Sequence, residues 1–339
     1  MDLPTFWFWV IATFWLGYLF LEGFDFGVGM TLGILGCNNT DRRVLINTIG
    51  PVWDGNEVWL IVAVGATFAA FPDWYAGLLS TLYLLVLVIV LALIVRGVAF
   101  EYRGKVDSAT WRRAWDRAII VGSLIAPLGV GALLVTNVFG LPIDAAGNRV
   151  GGPLAPLGWP ALLGALAFAG FAFVHGTVFL SLKTSGEIRA RARGLALRSA
   201  PLALLPLAVL LVLLVLRGHG LAVLIAACVA VLAGVLGLAR LAAHRDGQAF
   251  GAFAVLVAAT VVTLFASLYP AVIPSTVDPA FSISVRAGAS GHYTLVVMSW
   301  LAAFGAPAVL AYQGWTYWVF RHRLARSHIP APTAPTSST

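Results

Sequence analysis

The chain has 339 residues, of which 60% are hydrophobic and only 10% charged. Soluble domains carry roughly 25% charged residues, so a water-facing globular domain is excluded and lipid is the solvent for most of the exterior. The net charge of +7 would suggest nucleic acid in a soluble protein. Here the basic residues sit in short connections between apolar runs, which makes them topology signals instead.

Taken in chain order, the first apolar run follows a segment, Met1 to Thr5, without positive charge. It continues far past the ~7–15 residues of a signal-peptide core and is read as a retained helix. A membrane helix needs about 20 mostly apolar residues. Nine runs qualify: 6–35, 50–71, 75–97, 118–140, 160–182, 199–216, 220–242, 249–270 and 292–320. The sixth is short and ends at the tight turn Arg217-Gly218-His219-Gly220. The expected fold is therefore all-α: a polytopic membrane protein with nine transmembrane helices in a single domain over 1–328, followed by a disordered Pro/Thr/Ser-rich tail over 329–339.

Lysine and arginine divide 18 to 3 between the connections after odd-numbered and even-numbered runs, with Arg96 counted in the third connection. The positive-inside rule then places the N-terminus outside and the C-terminus in the cytoplasm. Two outer loops are long, 141–159 and 271–291.

Four carboxylates fall inside the expected spans: Glu22 and Asp25 in the first, Asp54 and Glu57 in the second. Each pair is three residues apart and so shares one helix face. A carboxylate in hydrocarbon costs about 2.5–3.5 kcal/mol even on the lenient insertion scale, so the four should face one another or an interior cavity. Both helices meet at a cytoplasmic loop over 36–49. At about 1.5 Å per residue, Asp54 lies roughly 6 Å in, Glu57 about 10 Å, Asp25 about 15 Å and Glu22 about 20 Å. That is a ladder from the cytoplasm toward mid-membrane, of the kind that relays protons. The competing explanation is structural, with Asp54 as a helix cap and the others in helix–helix hydrogen bonds.

Gly23, Gly27, Gly29 and Gly33 permit close helix approach beside these acids. Cys37 and Cys228 have no metal-ligand spacing and read as small apolar residues. His175 is the one clear intramembrane histidine. Haem needs axial His, Met or Cys ligands, and no pair of histidines has helical spacing, so neither metal nor haem is expected on this chain alone. The many aromatics near span ends read first as an interfacial belt, and second as a setting for a quinone ring.

Several segments resemble a known family. Gly23-Phe-Asp-Phe-Gly-Val-Gly29 and Pro51-Val-Trp-Asp-Gly-Asn-Glu-Val-Trp-Leu60 are similar to the signature of subunit II of cytochrome bd-type quinol oxidases. The likeness continues through Phe68–Pro72, Phe100–Arg103, Trp111–Asp116, Tyr269–Thr276 and Pro307–Phe320. The resemblance implies two four-helix bundles plus one peripheral helix. It implies a haem-free subunit, not catalytic by itself, in the cytoplasmic membrane of a bacterium. Its partner, subunit I, carries haems b and d and the quinol site, and the complex oxidises quinol and reduces dioxygen to water. It also assigns Asp54, flanked by Trp53 and Asn56, and Asp25 to a cytoplasmic proton-entry route. Some relatives hold a structural quinone in this subunit or add a small accessory subunit. Glu57 departs from the Gln that related sequences often have there. A stand-alone proton-coupled transporter is the alternative, and a subunit whose acids serve assembly only is a third; a haem-bearing partner on co-purification separates the first from the transporter.

Overall fold

The computed structural model describes residues 2–218 and 220–329. His219 and the expected disordered tail, apart from Ile329, lie outside the described residues. The chain is helical almost throughout. α1 (Leu3–Leu35) is followed by α2 (Asn39–Ile49), α3 (Trp53–Ala70), α4 (Pro72–Thr81), α5 (Tyr83–Tyr102), α6 (Ala109–Phe139) and α7 (Trp159–Lys183). Then come α8 (Gly186–Ala203), α9 (Leu205–Leu216), α10 (Leu221–Ala242), α11 (Asp246–Leu268) and α12 (His292–Val319).

Local chemistry accounts for most boundaries. Asp2 caps α1 by accepting from the Thr5 amide, and Ser108 caps α6 by accepting from the Trp111 amide. Pro72 disfavours helical backbone at Phe71, so α3 stops at Ala70. Pro206 removes a backbone donor, and the chain breaks at Leu204 between α8 and α9.

The structure amends several expectations. The segment 36–49, read as a loop, contains the helix α2, because Asn38 caps it by accepting from the Asp41 amide at 2.8 Å. The third run is broken at Leu82, where no Pro or Gly announces it; Arg149 from an outer loop reaches the Thr81 carbonyl beside the break. The sixth helix begins at Gly186, thirteen residues earlier than its apolar run, because the arginine-rich approach is helical too. The loop 271–291 holds a two-stranded antiparallel sheet, β1 (Ala271–Ile273) with β2 (Ile283–Ser284), so the fold is helical but not purely α. Eight helices among the described residues are long and apolar enough to cross a membrane, α8 and α9 counting as one. α3 falls outside that set because its 18 residues include Asp54 and Glu57.

Neighbour relations place α1 at the centre, against α3, α6, α7 and α11. α5 packs on α6, and α10 on α11, while α7 also meets α8 and α9. α12 lies alongside α1 and α3 with only 6% of its apolar window buried. Glycine sets the tightest approach. A Cβ on Gly176 of α7 would sit 2.4 Å from the Gly27 Cα of α1, and one on Gly131 of α6 would sit 2.1 Å from the Gly164 carbonyl of α7. Without side chains, backbones meet directly, which is how membrane helices gain packing energy.

At the arginine-rich end, three buried aspartates each hold two arginines. Asp41 binds Arg191 (2.9 Å) and Arg326 (2.6 Å). Asp116 binds Arg42 (2.8 Å) and Arg103 (2.5 Å), and Asp246 binds Arg189 (2.5 Å) and Arg193 (2.9 Å). The segment after α12 folds back as a strap: Leu324 donates to the Lys183 carbonyl (2.8 Å), the Lys183 ammonium donates to the Phe320 carbonyl, and Arg326 reaches Asp41. Burial pushes the Asp41 carboxyl up, but hydrogen bonds from Arg326 and Arg191 outweigh it and hold the group below its ordinary 3.8.

Two outcomes follow from this packing. Gly176→Val drives a side chain into the α1 backbone and should destabilise by at least the ~1–3 kcal/mol typical of overpacking, read as a lower thermal midpoint of the purified protein. For Asp41, a depressed native pKa gives stability that is present above the ordinary value and lost as pH falls through the native one. Tryptic nicking at Arg321, Arg323 and Arg326 should therefore stay slow from neutral pH to about 4 and speed up below; protease-accessible intermediates are captured by brief acid exposure before digestion at neutral pH. Asp41→Asn should raise the nicking rate at neutral pH, where the native carboxylate is ionised, and should no longer differ from the native protein once that carboxyl is protonated.

Candidate proton-relay site

One acid of α1, Glu22, meets a cation that sequence reading had placed at the membrane rim. Arg96 lies on α5 with its side chain fully buried, and its Nη1 donates to Glu22 Oε1, itself fully buried. Its Nε donates to Ser123 Oγ of α6 at 3.1 Å, and Phe26 and Phe100 offer ring faces at 4.8 and 5.0 Å. Glu57 Oε2 of α3 is 3.9 Å from the same Nη1, with 22% of its side chain exposed. A buried charge persists only when paired, and this pairing was missed because Arg96 stands six residues before the end of its helix, among residues that read as a loop approach.

Asp25 is fully buried one turn from Glu22 and accepts from Asn56 Nδ2 of α3 at 2.7 Å. The Asn56 carbonyl oxygen in turn accepts from Gln313 Nε2 (3.1 Å) and Tyr317 OH (2.8 Å), both on α12. Gln313 Oε1 accepts from Trp59 Nε1 at 2.8 Å. Neither Gln313 nor Tyr317 had been singled out from the sequence; polar residues on an otherwise lipid-suited helix were the available signal.

Asp54 stands apart. It lies in the first turn of α3, exposed on the surface of this chain, and has no hydrogen-bond partner among the described residues. It is not a cap: Val52 holds the cap position, without a side-chain bond. Trp53 packs on Phe100 of α5 at 5.3 Å, fixing the start of α3. Of the six residues named from sequence, Glu22 and Glu57 therefore meet Arg96, Asp25 and Asn56 pair with each other one turn away, Trp53 packs at the start of α3, and Asp54 opens toward the outside of the chain.

Several buried polar atoms here have no protein partner: Glu22 Oε2, Asp25 Oδ1, Arg96 Nη2 and Tyr18 OH. His175 Nδ1 is also without a partner, but it lies among aromatic rings and not at the cluster. The Nε2 of His175, facing the Phe20 carbonyl at 3.1 Å, carries the hydrogen, and the ring stacks on Phe250 (5.1 Å) and Phe171 (5.0 Å). The described residues contain no cluster of three or more His, Cys, Asp or Glu side chains able to hold a metal.

These features define a polytopic helical membrane protein built around a buried, partly satisfied carboxylate–guanidinium cluster. The chain belongs to the cytochrome bd terminal oxidase subunit II family, whose match runs over residues 3–320, and it is thus a subunit of an oxidoreductase complex. It is 42% identical over 334 residues to cytochrome bd ubiquinol oxidase subunit 2 of Bacillus subtilis (strain 168), covering 96% of this chain and 97% of the relative. It is 30% identical to cytochrome bd-I ubiquinol oxidase subunit 2 of Escherichia coli (strain K12), covering 96% of each. The fold matches a chain in the structure of bd oxidase from Geobacillus thermodenitrificans with a TM-score of 0.78 at 19% identity, over 94% of this chain and 99% of that one.

The cluster yields its own test. Arg96→Met or Glu22→Gln alone leaves one buried charge unpaired, at a cost of about 3–5 kcal/mol. The double change Glu22→Leu/Arg96→Met should recover part of that loss. Thermal unfolding of the single and double variants measures it, and equal, additive losses would show the pair to be uncoupled.

Proposed function

We infer that this chain is the haem-free half of a bd-type oxidase complex: it supports a partner subunit bearing haems b and d and carries cytoplasmic protons inward through Asp54 and Asp25. The overall reaction oxidises two quinols and reduces one dioxygen to two waters, so four protons must reach the oxygen site. This chain's contribution is to receive and hold them. Asp54 is the entry group, on the exposed start of α3 beside the arginine-rich end. Asp25, Glu57 and Glu22 form the inner stage.

The observation that carries this reading is the ratio of charges. Two carboxylates, Glu22 and Glu57, pair with one guanidinium, and a third, Asp25, lies within its electrostatic reach. Fully ionised, they would leave two negative charges uncompensated in a low dielectric, a situation relieved by taking up protons. The unpartnered oxygens of Asp25 and Glu22 supply acceptor sites for them.

Topology is part of the same proposal. Counting α3 with the eight apolar helices makes nine spans. Moving Arg96 to the interior leaves 17 basic residues on one side against 3 on the other, still a strong positive-inside bias, with the N-terminus outside and the C-terminus in the cytoplasm of a bacterial cell. The exposed apolar residues of α3, α5 and α12, such as Ile61, Phe68, Ile94, Phe304 and Trp315, provide the surface for subunit I and lipid. A structural quinone fits the cavity of about 500 Å³ bordered by Trp15, Ile61, Phe68, Trp74, Leu78 and Val130, which is lined largely by apolar groups as an isoprenoid tail requires.

Asp54→Asn, made in the full complex, is the decisive variant. Oxygen consumption with quinol should fall by about tenfold or more, with the ~10²–10⁴ of positioned proton transfer as the upper limit, while the optical spectrum of the haems stays that of the native complex. Unchanged turnover removes the proton role; loss of the haem spectrum assigns Asp54 to assembly instead.

A further inference from the structure

We propose that Tyr317 and Gln313 of the peripheral helix α12 are positioning residues for proton transfer: they lock the Asn56 amide so that it donates to one oxygen of Asp25 and leaves the other free to bind a proton. The inference rests on the proton-path reading of Asp25 given above.

The amide of an asparagine can face either way, and the choice decides what it offers. Here two donors converge on one atom. Tyr317 OH lies 2.8 Å and Gln313 Nε2 lies 3.1 Å from Asn56 Oδ1. Gln313 is itself oriented, because its Oε1 accepts from Trp59 Nε1 at 2.8 Å. An indole N–H only donates, so the chain of bonds has one consistent direction: Trp59 to Gln313, Gln313 and Tyr317 to Asn56, Asn56 to Asp25. The Asn56 nitrogen must then face Asp25 Oδ2, which it does at 2.7 Å. Asp25 Oδ1 remains buried without a protein partner. Reversing the amide would set two carbonyl-type oxygens against each other at Asp25 and leave the two donors on α12 facing an NH₂ group.

The consequence is a division of labour within one carboxylate. Oδ2 is held as an acceptor by Asn56, and Oδ1 is the oxygen that exchanges a proton. The remaining charged and titratable groups acting on Asp25 are Glu22 on its own helix, Glu57 on α3, Arg96 on α5 and Tyr317 on α12. None of them hydrogen-bonds Oδ2, so the orientation rests on Asn56 and, behind it, on α12. α12 is also held at its other end, by Trp7 Nε1 donating to the Leu295 carbonyl and Ser299 Oγ, and at its C-terminus by Lys183 donating to the Phe320 carbonyl. An exposed helix is thereby connected to a buried proton carrier through two side chains one turn apart.

The test uses the full complex in nanodiscs, with two readouts: the pH profile of quinol-driven oxygen consumption, and the infrared carboxyl band that disappears in Asp25→Asn. Removing the amide's fixed donation takes a hydrogen bond from the charged form of Asp25, so in Tyr317→Phe/Gln313→Leu the profile should move toward alkaline pH by about one unit, the tenfold change expected of one hydrogen bond to a charged group, and the Asp25 band should shift. Asn56→Leu should do the same. If Asn56→Leu moves both readouts and the α12 double variant moves neither, the amide is oriented without α12 and the proposal is overturned. Should the double variant fail to assemble, Tyr317→Phe keeps the ring packing and serves alone: a smaller shift in the same direction supports the proposal, and a native profile overturns it. Full turnover with a native profile in Asp25→Asn would instead refute the underlying proton-path reading.

Discussion

A guanidinium buried beyond the reach of water constrains everything around it. Arg96 brings a full charge into the helix bundle, and the effective penalty for such a group is several kcal/mol unless partners surround it. The partners come from different helices: Glu22 from α1, Ser123 from α6, Glu57 from α3 and ring faces from Phe26 and Phe100. Their alignment therefore fixes the relative height of α1, α3, α5 and α6. A slide of one helix turn, about 5.4 Å, would separate the pair and strand both charges. The apolar surfaces of the same helices would tolerate such a slide far better, because lipid-facing leucines are not specific about register.

Backbone proximity completes what the charges begin. A Cβ on Gly122 of α6 would lie 2.8 Å from the Ala92 carbonyl of α5, so glycine there is what lets Ser123 reach Arg96 Nε. The contact between Gly27 and Gly176 holds α7 against α1 on the opposite side. At the arginine-rich end, Asp41 and Asp116 each bind two arginines from separate segments, and Asp246 of α11 binds two from α8. Those arginines carry the positive-inside signal, and they also tie α2, α5, α6, α8, α11 and the strap together. Topology and tertiary structure are thus written in the same residues.

How much was legible in the sequence follows from this physics. Long apolar runs announce themselves by composition, so the membrane class and most helices could be read directly. The two acids on α1 and those on α3 stood out because a carboxylate in hydrocarbon is costly and therefore rare, and the signatures around Asp25 and Asp54 pointed to the family. Arg96 was hidden because a single cation near a helix end reads as a rim residue; only its neighbours in space show that it is interior. The helix α2 was obscured by its polarity, and the break at Leu82 by the absence of Pro or Gly. Asn56 was named with its motif, but its partners Gln313 and Tyr317 lie more than 250 residues away, and no local pattern links them.

Glu22 and Asp25 illustrate why helical spacing alone does not assign roles. They share a face of α1 and are both fully buried, so a sequence argument treats them alike. The structure gives Glu22 a permanent cation and Asp25 a neutral amide. A guanidinium partner favours the carboxylate anion more than an amide partner does. Both belong to the proposed inner stage, but the ion pair of Glu22 also holds the helices in register, while the neutral partner of Asp25 leaves its second oxygen open to a proton. The separation of these tasks depends on Asn56 presenting its nitrogen to Asp25, and that orientation originates in the helix least embedded in the bundle.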